Sequence, residues 1–495
     1  MPAALGCLCV DATSTVPLRR QIADAIRDAI LKGKLPFNAL LPTSSELADH
    51  LGVARNTVVA AYALLRNDGF ISGNTRRGTR VILPVRASPS NTILPSANTT
   101  IRVAARAERH LRTTIIRHAD GAPFCLNTVS ASFYPRAQLG NKLAKLFLGS
   151  QERIAVTKSS DYRLLFKRFR EAVCGHVLLT RGIKCHEHQV IPVAGPEAAI
   201  DLIARVLIDP GHTVKLLEPV LDCVVSALEL VGAHIYPVGR HADALARSAT
   251  DLPPARVLFV QPSAVFPFGS CVSESARADI VSRATAENAI IFEYDVDHPL
   301  LRLGRACETL FTKDRRERTI YYGGLSESLG LGTELGYLIV PDAFVSHFSE
   351  MSLRTKKLPM LQIAEAIAHM IERDELTAHW KDVRCAYAER MDWLCSQLDA
   401  QFKKQPFATP PGGTHYALIL SSELEADAIC RQLSCEGAST VPLGHFLRHP
   451  PEENGIILSL KYTTKSAITN LVARLSDLCR GYPPLPAAVN AWTQG

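Results

Sequence analysis

Beyond residue 123, the sequence alternates short apolar runs with longer amphipathic segments, and this alternation limits the fold more than any other feature. The runs have the length of buried strands. They are Gln189–Val193, Thr213–Leu217, Val257–Val260, Ala289–Phe292 and Thr319–Tyr322. Strands that alternate with helices predict a mostly parallel sheet covered on both faces. An α/β fold is therefore predicted for this part of the chain.

The pattern changes after residue 350, where long stretches of helical periodicity begin. The apolar run Thr414–Leu420 then predicts a further strand. This order is typical of a smaller α+β lobe that follows a main sheet. We expect one large domain over residues 123–483.

The N-terminal segment is organised differently, with short helices in close succession. A first helix is predicted from Leu18, and a second begins where Thr43 or Ser44 and Glu46 form a capping box. The predicted inward residues of the first helix are Ile22, Ile26, Ile30 and Leu31, with Gly33 as its C-cap, and those of the second are Leu47, Ala48 and Leu51.

A third helix is predicted from Ala54, directly after a tight turn at Gly52. Its predicted inward residues are Val58, Val59, Tyr62 and Leu65. Two short helices around a glycine turn are typical of a helix-turn-helix. A turn at Asp68–Ile71 and a hairpin at Asn74–Val81 with a basic tip follow. Residues 16–84 are therefore predicted to form a winged helix-turn-helix.

The chemistry at the start of the third helix suits contact with double-stranded DNA. Arg55 can bind guanine with two hydrogen bonds, Asn56 can bind adenine, and Thr57 with the helix N-terminus suits a phosphate. The predicted DNA-binding residues are Thr43, Ser44, Ser45, Arg55, Asn56, Thr57, Tyr62, Arg76, Arg77, Gly78 and Thr79. The alternative is a small helical core with solvated arginines.

The charge distribution favours a nucleic-acid partner for the same region. Residues 1–84 hold ten Lys/Arg and six Asp/Glu, and residues 85–121 hold six and two, whereas the whole chain has a net charge of +7. All of the net positive charge therefore lies in the first quarter. Residues 85–122, rich in Ser, Asn, Thr, Pro and Arg, are predicted to be a linker. Its part 104–117 could form a basic helix or a charged tether.

Composition makes other classes of protein poor fits. No run of eighteen apolar residues predicts a membrane span, and residues 1–10 lack the basic start of a secretory signal. The thirteen cysteines show no zinc-ligand spacing, so we expect reduced thiols and no metal. These features together predict a cytoplasmic protein.

The N-terminal segment closely resembles the winged-helix domain of the GntR family. The matching residues are Pro17–Leu18, Gln21–Ile22, Leu41–Ser44, Glu46–Ala48, Leu51–Val53, Arg55–Val58, Ala61–Tyr62, Leu65, Gly69–Ile71 and Gly78–Thr79. The family usually has an arginine where this chain has Ser45. The resemblance implies a DNA-binding domain.

The large domain resembles fold-type I aminotransferases, and the two domains together resemble the MocR subfamily of GntR regulators. The residues that carry this second resemblance are Arg181–Ile183, Ala194–Gly195, Leu207–Gly211, Glu218–Pro219, Gln261–Ser263, Phe266–Pro267, Gly269, Gly323, Ser326, Leu335–Tyr337 and Gly412–His415. The resemblance implies a head-to-tail homodimer and, in the aminotransferases, pyridoxal phosphate (PLP) bound to a lysine as an imine.

At the positions where the resemblance implies cofactor contacts, this chain has residues with other chemistry. Glu327 stands at the position of the imine-forming lysine, and a carboxylate cannot form an imine. Gly195 lies in the phosphate cup beside Pro196 and Glu197, and Glu334 replaces a phosphate-binding arginine. Leu221 replaces the ring-stacking tyrosine, and Ile457 replaces the arginine for the substrate carboxylate. The acid for the pyridine nitrogen lies within Glu293–Asp297, with Glu293, Asp295 and Asp297 all possible.

Three hypotheses follow from the sequence. The first is a transcription regulator whose degenerate aminotransferase-like domain has lost PLP and serves for dimerisation or senses a small effector, for which the carboxylates favour an amine. The second is a PLP-dependent aminotransferase or a PLP-sensing regulator with non-standard contacts. The third is a metabolic scaffold that does not bind DNA. We expect the first, without enzymatic activity and without a bound cofactor.

Overall fold

The chain divides into two compact units, residues 1–102 and 103–495. The computed structural model describes residues 10–11, 14, 16–74, 78–82, 123–126, 140–145, 166–239, 244, 252–302, 308–325, 329, 334–402, 409–410, 412–448 and 454–480. The predicted linker lies outside these residues, and the predicted domain boundaries stay predictions. No helix in the described part of the chain is long and apolar enough to cross a membrane.

The N-terminal unit contains three helices followed by a hairpin. The helices are α1 (Leu18–Leu31), α2 (Ser44–Leu51) and α3 (Arg55–Asn67), and the strands are β1 (Ile71–Asn74) and β2 (Gly78–Val81). The two strands are antiparallel, with Ile71 opposite Val81. Apolar residues from all these elements form one core, centred on Ile26, Leu47 and Val58. The predicted helix-turn-helix and hairpin are thus confirmed.

Local signals in the sequence set the ends of α2 as predicted. The Thr43 hydroxyl accepts a hydrogen bond from the Glu46 backbone N–H at 3.2 Å, and the Glu46 carboxylate accepts one from the Thr43 N–H at 2.8 Å. This reciprocal pair is a capping box. At the other end, Gly52 has a left-handed backbone with φ of 63°, which a side chain would disfavour.

Two residues predicted to face inward are exposed instead. Val59 is 47% exposed and Leu31 is 61% exposed. Each directly follows a buried residue, Val58 or Ile30, and one residue turns an α-helix by about 100°. The buried face of α3 includes Ala61 instead of Val59, and Ala61 was not among the predicted inward residues.

A seven-stranded sheet forms the centre of the large unit. Its strands are β3 (Val190–Val193), β4 (Thr213–Leu216), β5 (His234–Pro237), β6 (Val257–Val260), β7 (Ile290–Asp295), β8 (Thr319–Gly324) and β9 (Gly336–Ile339). They lie in the order β3-β9-β8-β7-β6-β4-β5. Strand β9 runs antiparallel to both of its neighbours, β3 and β8, and the other neighbouring strands are parallel. The mostly parallel sheet is confirmed, and each predicted strand begins within a residue or two of its predicted first residue.

Helices cover both faces of this sheet. They are α4 (Lys167–Arg181), α5 (Gly195–Leu207), α6 (Asp222–Leu230), α7 (Glu274–Glu287), α8 (Leu310–Lys313), α9 (Asp342–Thr355) and α10 (Leu361–Glu372). One face packs against α5, α6 and α9. The other packs against α7 over the middle strands and against α4 and α10 over β3, β8 and β9. Coverage on both faces explains why the strands are apolar along their whole length.

The C-terminal lobe has a three-stranded antiparallel sheet of its own. It contains α11 (Glu375–Phe402), β10 (His415–Ile419), α12 (Ala426–Cys435), β11 (Val441–Pro442), β12 (Gly455–Ser459) and α13 (Lys465–Leu478). The strands lie in the order β10-β12-β11. Helices α11, α12 and α13 pack on this sheet around Leu394, Leu418 and Leu458. The predicted α+β lobe is confirmed.

The capping box makes a prediction about the stability of the N-terminal unit. Thr43→Ala removes the hydroxyl that accepts the Glu46 N–H, so we expect the free energy of unfolding of this unit to fall by about 1 kcal/mol. The measurement is hydrogen exchange of peptides from residues 16–74 in the full-length protein. Ser44→Ala, at the first helical position, is the control and should change exchange little. Equal effects of both variants would contradict the capping role.

Candidate DNA interface and effector pocket

The start of α3 presents polar side chains to solvent. Arg55 and Asn56 are exposed, and Thr57 is half-buried. The N-cap residue is Ala54, which has no side chain that could cap the helix. The Thr57 N–H bonds to the Ala54 carbonyl at 2.9 Å, which leaves the N–H groups of Arg55 and Asn56 to face an anion such as a phosphate. The DNA contacts of Arg55, Asn56 and Thr57 stay predictions.

Tyr62, predicted as a DNA contact, is instead a core residue. Its side chain is 5% exposed, and its hydroxyl donates a hydrogen bond to the Pro42 carbonyl at 2.9 Å. Burial, with the charge of Glu46, raises the pKa of the Tyr62 phenol. Because Pro42 directly precedes the N-cap of α2, Tyr62 holds the two helices of the motif together. The role of Tyr62 is therefore to position the predicted DNA-binding surface.

The other predicted DNA contacts are distributed over α2 and the hairpin. Thr43 and Ser45 are exposed and Ser44 is half-buried at the start of α2, while Gly78 is exposed and Thr79 half-buried on β2. Arg76 and Arg77 lie outside the described residues. The guanidinium of Arg80 donates to the Asn38 carbonyl at 2.9 Å, so this arginine braces the base of the hairpin.

In the large unit, the N-terminus of α5 lies against a carboxylate. Gly195 begins the helix with φ of +80°, and a Cβ atom placed there would lie 2.7 Å from Cβ of Glu334. The Glu334 side chain thus packs directly on the Gly195 backbone. Burial and the charge of Glu197, in the first turn of α5, raise the pKa of Glu334. The two carboxylates therefore interact with each other at this helix end.

Leu221 lies beside a small apolar cavity. The cavity has a volume of about 20 Å³ and is lined by Leu217, Pro219, Val220, Leu221, Val224, Phe259, Gln261 and Val265. A volume of this size holds about one water molecule. Leu221 also packs against a second apolar cluster that contains Ile457, Phe266 and Phe446. The structure thus brings two of the predicted pocket residues, Leu221 and Ile457, into one apolar region.

Ile457 is a core residue of the C-terminal lobe. It lies in the middle of β12, between Ala417 and Val441 on the neighbouring strands, and is fully buried. An arginine there would place a charge among apolar side chains unless an anion accompanied it.

Glu293 lies on β7 and is fully buried. Its two carboxylate oxygens accept the backbone N–H groups of Leu310 and Phe311 at 3.0 and 2.9 Å. Burial, and then the charge of Asp295, raise the pKa of Glu293 to about 7, although these two donors act in the opposite direction. Glu293 therefore serves to fix the start of α8 to the sheet.

Asp295, two residues further along β7, lies in a buried ion pair. Its Oδ2 atom is 2.8 Å from Nη2 of Arg181 and accepts the Tyr321 hydroxyl at 2.9 Å. Burial, the largest single influence, opposes ionisation of Asp295, but the charge of Arg181, with smaller contributions that include His298 and the Tyr321 hydroxyl, holds the pKa of Asp295 below its usual value. The Oδ1 atom is also buried and has no hydrogen-bond partner among the described residues.

Comparisons with known proteins place each unit. Residues 18–81 match "Bacterial regulatory proteins, gntR family". The chain is similar to the probable rhizopine catabolism regulatory protein MocR of Rhizobium meliloti, with 26% identity over 91% of each chain. It is also similar to the HTH-type transcriptional regulator TauR of Rhodobacter capsulatus, with 23% identity over 94% of this chain and 96% of that protein.

The large unit shares its fold with aminotransferases. A kynurenine aminotransferase of Pyrococcus horikoshii, solved in complex with PMP, superposes with a TM-score of 0.65 at 18% identity, over 76% of this chain and 95% of that one. The chain thus resembles MocR over most of its length. Its N-terminal unit is a GntR helix-turn-helix domain, and its large unit has the aminotransferase fold.

The residues at the positions that the resemblance assigns to PLP differ in how well they would suit this cofactor. The acids at the start of α5 would repel a phosphate. Asp295 Oδ1, in contrast, could accept a hydrogen bond from a protonated ring nitrogen. Glu327 lies outside the described residues. The acids at the phosphate position therefore disfavour PLP, whereas the acceptor atom on Asp295 suits its ring nitrogen.

Sequence reasoning missed the partners of the acidic segment. Arg181 was used only as a marker of the fold, and Tyr321 only as part of a strand, yet both contact Asp295. The signal in the sequence was Arg181 itself. An arginine between an apolar helix and an apolar strand is expected to be buried, and a buried charge needs a partner. These residues are far apart in sequence and meet only because α4, β7 and β8 pack together.

The raised pKa of Glu293 predicts a pH dependence of stability. A carboxyl that binds its proton more tightly when folded stabilises the protein fully below its unfolded pKa of about 4.5, and this contribution is lost as pH rises through about 7. The contribution amounts to about 3 kcal/mol at most. In Glu293→Gln, stability should therefore decline less with rising pH over this range than in the unaltered protein.

Denaturant unfolding at several pH values measures this effect. The amide introduced by Glu293→Gln has only one acceptor oxygen for the two N–H groups, so a constant loss of stability at every pH is expected as well. Glu317→Gln, at an exposed carboxyl, is the control and should leave the profile unchanged. If the free energy of unfolding changed with pH in the same way in Glu293→Gln and in the unaltered protein, Glu293 would not titrate in this range.

Proposed function

We propose that this protein is a cytoplasmic transcription regulator that binds double-stranded DNA through α3 and the hairpin. The exposed Arg55 and Asn56 at the N-terminus of α3 carry this proposal, within a domain that matches the GntR family. An arginine and an asparagine there suit direct contacts to bases in the major groove. Similarity to MocR and TauR, both named as regulators, supports the same function.

We further propose that the large domain has lost PLP chemistry and acts as a dimerisation or ligand-sensing domain. Glu334 on the Gly195 backbone supports this, because it places negative charge where the aminotransferases bind a phosphate. Glu327, at the position of the lysine in the resemblance, cannot form an imine. A homodimer would present two helix-turn-helix motifs to two DNA half-sites.

The charge near α5 also bears on the class of effector. Glu197 and Glu334 lie on the helix end that borders the predicted pocket, and Leu221 and Ile457 make its neighbouring wall apolar. Two carboxylates beside an apolar surface favour a cationic, amine-bearing small molecule over an anionic one.

A second candidate function is a regulator that senses PLP through non-standard contacts. One observation favours it: Oδ1 of Asp295 is buried without a partner among the described residues, as a pyridinium acceptor would be. In this case the cofactor would be held by Asp295 without the usual phosphate contacts.

Arg55→Ala tests the DNA interface. The variant removes the proposed contact to guanine, so we expect affinity for a specific duplex to fall by roughly 5- to 150-fold, about 1–3 kcal/mol. The duplexes come from a genome-wide occupancy map, and affinity is measured by fluorescence anisotropy. Arg66→Ala removes the same charge from the last turn of α3 and should bind like the unaltered protein. A metabolic scaffold predicts no specific duplex binding in any of the three.

Absorbance spectroscopy tests the loss of PLP chemistry. Full-length protein mixed with PLP should show no internal-aldimine band, and borohydride reduction should label its lysines no more than in the denatured protein. PLP should also fail to raise the melting temperature. Selective reduction at one lysine would establish covalent PLP binding, and a thermal shift without an adduct would support the sensing function. Asp295→Asn should abolish that shift if Asp295 is the acceptor.

A further inference from the structure

Two cysteines of the large unit lie in contact near the end of α4. The Sγ atoms of Cys174, on α4, and Cys185, beyond its end, are 3.6 Å apart, and the Cys185 thiol donates to the Cys174 sulfur. Both side chains are half-buried and carry free thiols. The sequence interval of eleven residues gave no reason to pair them.

The end of α4 explains this contact. Gly182 has φ of +69°, a backbone conformation that reverses the chain and that glycine adopts readily. The Gly182 N–H bonds to the Leu178 carbonyl and the Ile183 N–H to the Val177 carbonyl, both at 3.2 Å. The chain therefore returns along the helix it has just left, which brings residue 185 beside residue 174.

The surroundings make the two thiols unequal. The hydrogen bond from Cys185 lowers the pKa of Cys174 against the effect of burial, and the Arg170 guanidinium acts in the same direction while Glu187 opposes it. The same hydrogen bond and burial raise the pKa of Cys185. A thiolate is the reactive form of cysteine. Cys174 is therefore the thiol that an oxidant would attack first.

We propose that Cys174 and Cys185 form a reversible regulatory disulfide, with a peroxide as the oxidant. The Cys174 thiolate attacks a peroxide oxygen, the O–O bond breaks, and an alcohol or water leaves with the thiol proton. The resulting sulfenic acid is attacked by the Cys185 sulfur, so that an S–S bond forms and the S–O bond breaks. Water leaves with the Cys185 proton. Two thiols are thus oxidised and one peroxide is reduced.

The disulfide would act on the pocket through Arg181. The loop that it closes contains this arginine, whose guanidinium pairs with Asp295 at 2.8 Å. Beyond Cys185 the chain leads directly through β3 to Gly195 at the start of α5. Since a disulfide holds its sulfurs at about 2.05 Å, oxidation must draw the two cysteines together and shift the segment between them.

Mass spectrometry of the full-length protein tests the disulfide. After brief treatment with hydrogen peroxide, the remaining thiols are alkylated and the protein is digested. A peptide linking residues 174 and 185 should form, disappear with dithiothreitol, and form roughly ten times faster than oxidation of the exposed Cys385 and Cys435. Absence of the linked peptide, or equal oxidation of the exposed cysteines, would overturn the proposal.

Two variants test the order of the steps. In Cys185→Ser, the sulfenic acid at Cys174 cannot be resolved, so dimedone should trap it there. In Cys174→Ser, Cys185 should remain a thiol and be alkylated in full. Cys435→Ser is the matched control and should form the linked peptide at the normal rate. Dimedone labelling of Cys185 in Cys174→Ser would contradict the proposed roles.

Hydrogen exchange tests the coupling to the pocket. Oxidised protein should exchange at least several-fold more slowly than reduced protein over residues 174–195, because the disulfide constrains this segment. The same treatment should leave exchange unchanged in Cys174→Ser. If the disulfide formed but hydrogen exchange near Arg181 did not change, oxidation would modify the protein without affecting the pocket. That result would overturn the regulatory role. These measurements involve neither DNA nor PLP, so they stand apart from the tests of the proposed function.

Discussion

The buried ion pair between Arg181 and Asp295 constrains the architecture of the large unit. Both side chains are excluded from water and lie 2.8 Å apart. A single buried charge left without its partner costs several kcal/mol, so these two elements of the fold must meet. Arg181 ends α4, Asp295 ends β7, and Tyr321 on β8 donates to the same carboxylate. One charged contact thus fixes a helix and two central strands at the carboxyl edge of the sheet.

That edge is where open α/β sheets place their ligands. Gly195 begins α5 with a left-handed backbone, and Glu334 packs on it. Leu221 and Ile457 meet in an apolar cluster. The fold depends on strands whose buried residues are apolar. Substitutions at the ends of these strands lie outside that core and leave it intact. A few substitutions at strand ends can therefore change the chemistry of a site without altering the fold.

The two units were predictable to different degrees because they depend on different ranges of interaction. In the N-terminal unit, the capping box of Thr43 and Glu46 and the turn at Gly52 act within a few residues. The helix positions followed from these local signals. The side-chain faces were less certain: Val59 and Leu31 are exposed, and Tyr62 uses its hydroxyl on Pro42 rather than on DNA.

The sequence by itself determined the helix-turn-helix and the order of strands and helices in the large unit. Hydrophobic periodicity and capping residues indicate these features within short segments of the sequence. Only the tertiary structure decided which of the acids in Glu293–Asp297 takes which partner, and that Cys174 meets Cys185. Burial and distance between residues far apart in sequence depend on how strands and helices pack, and no local pattern encodes them.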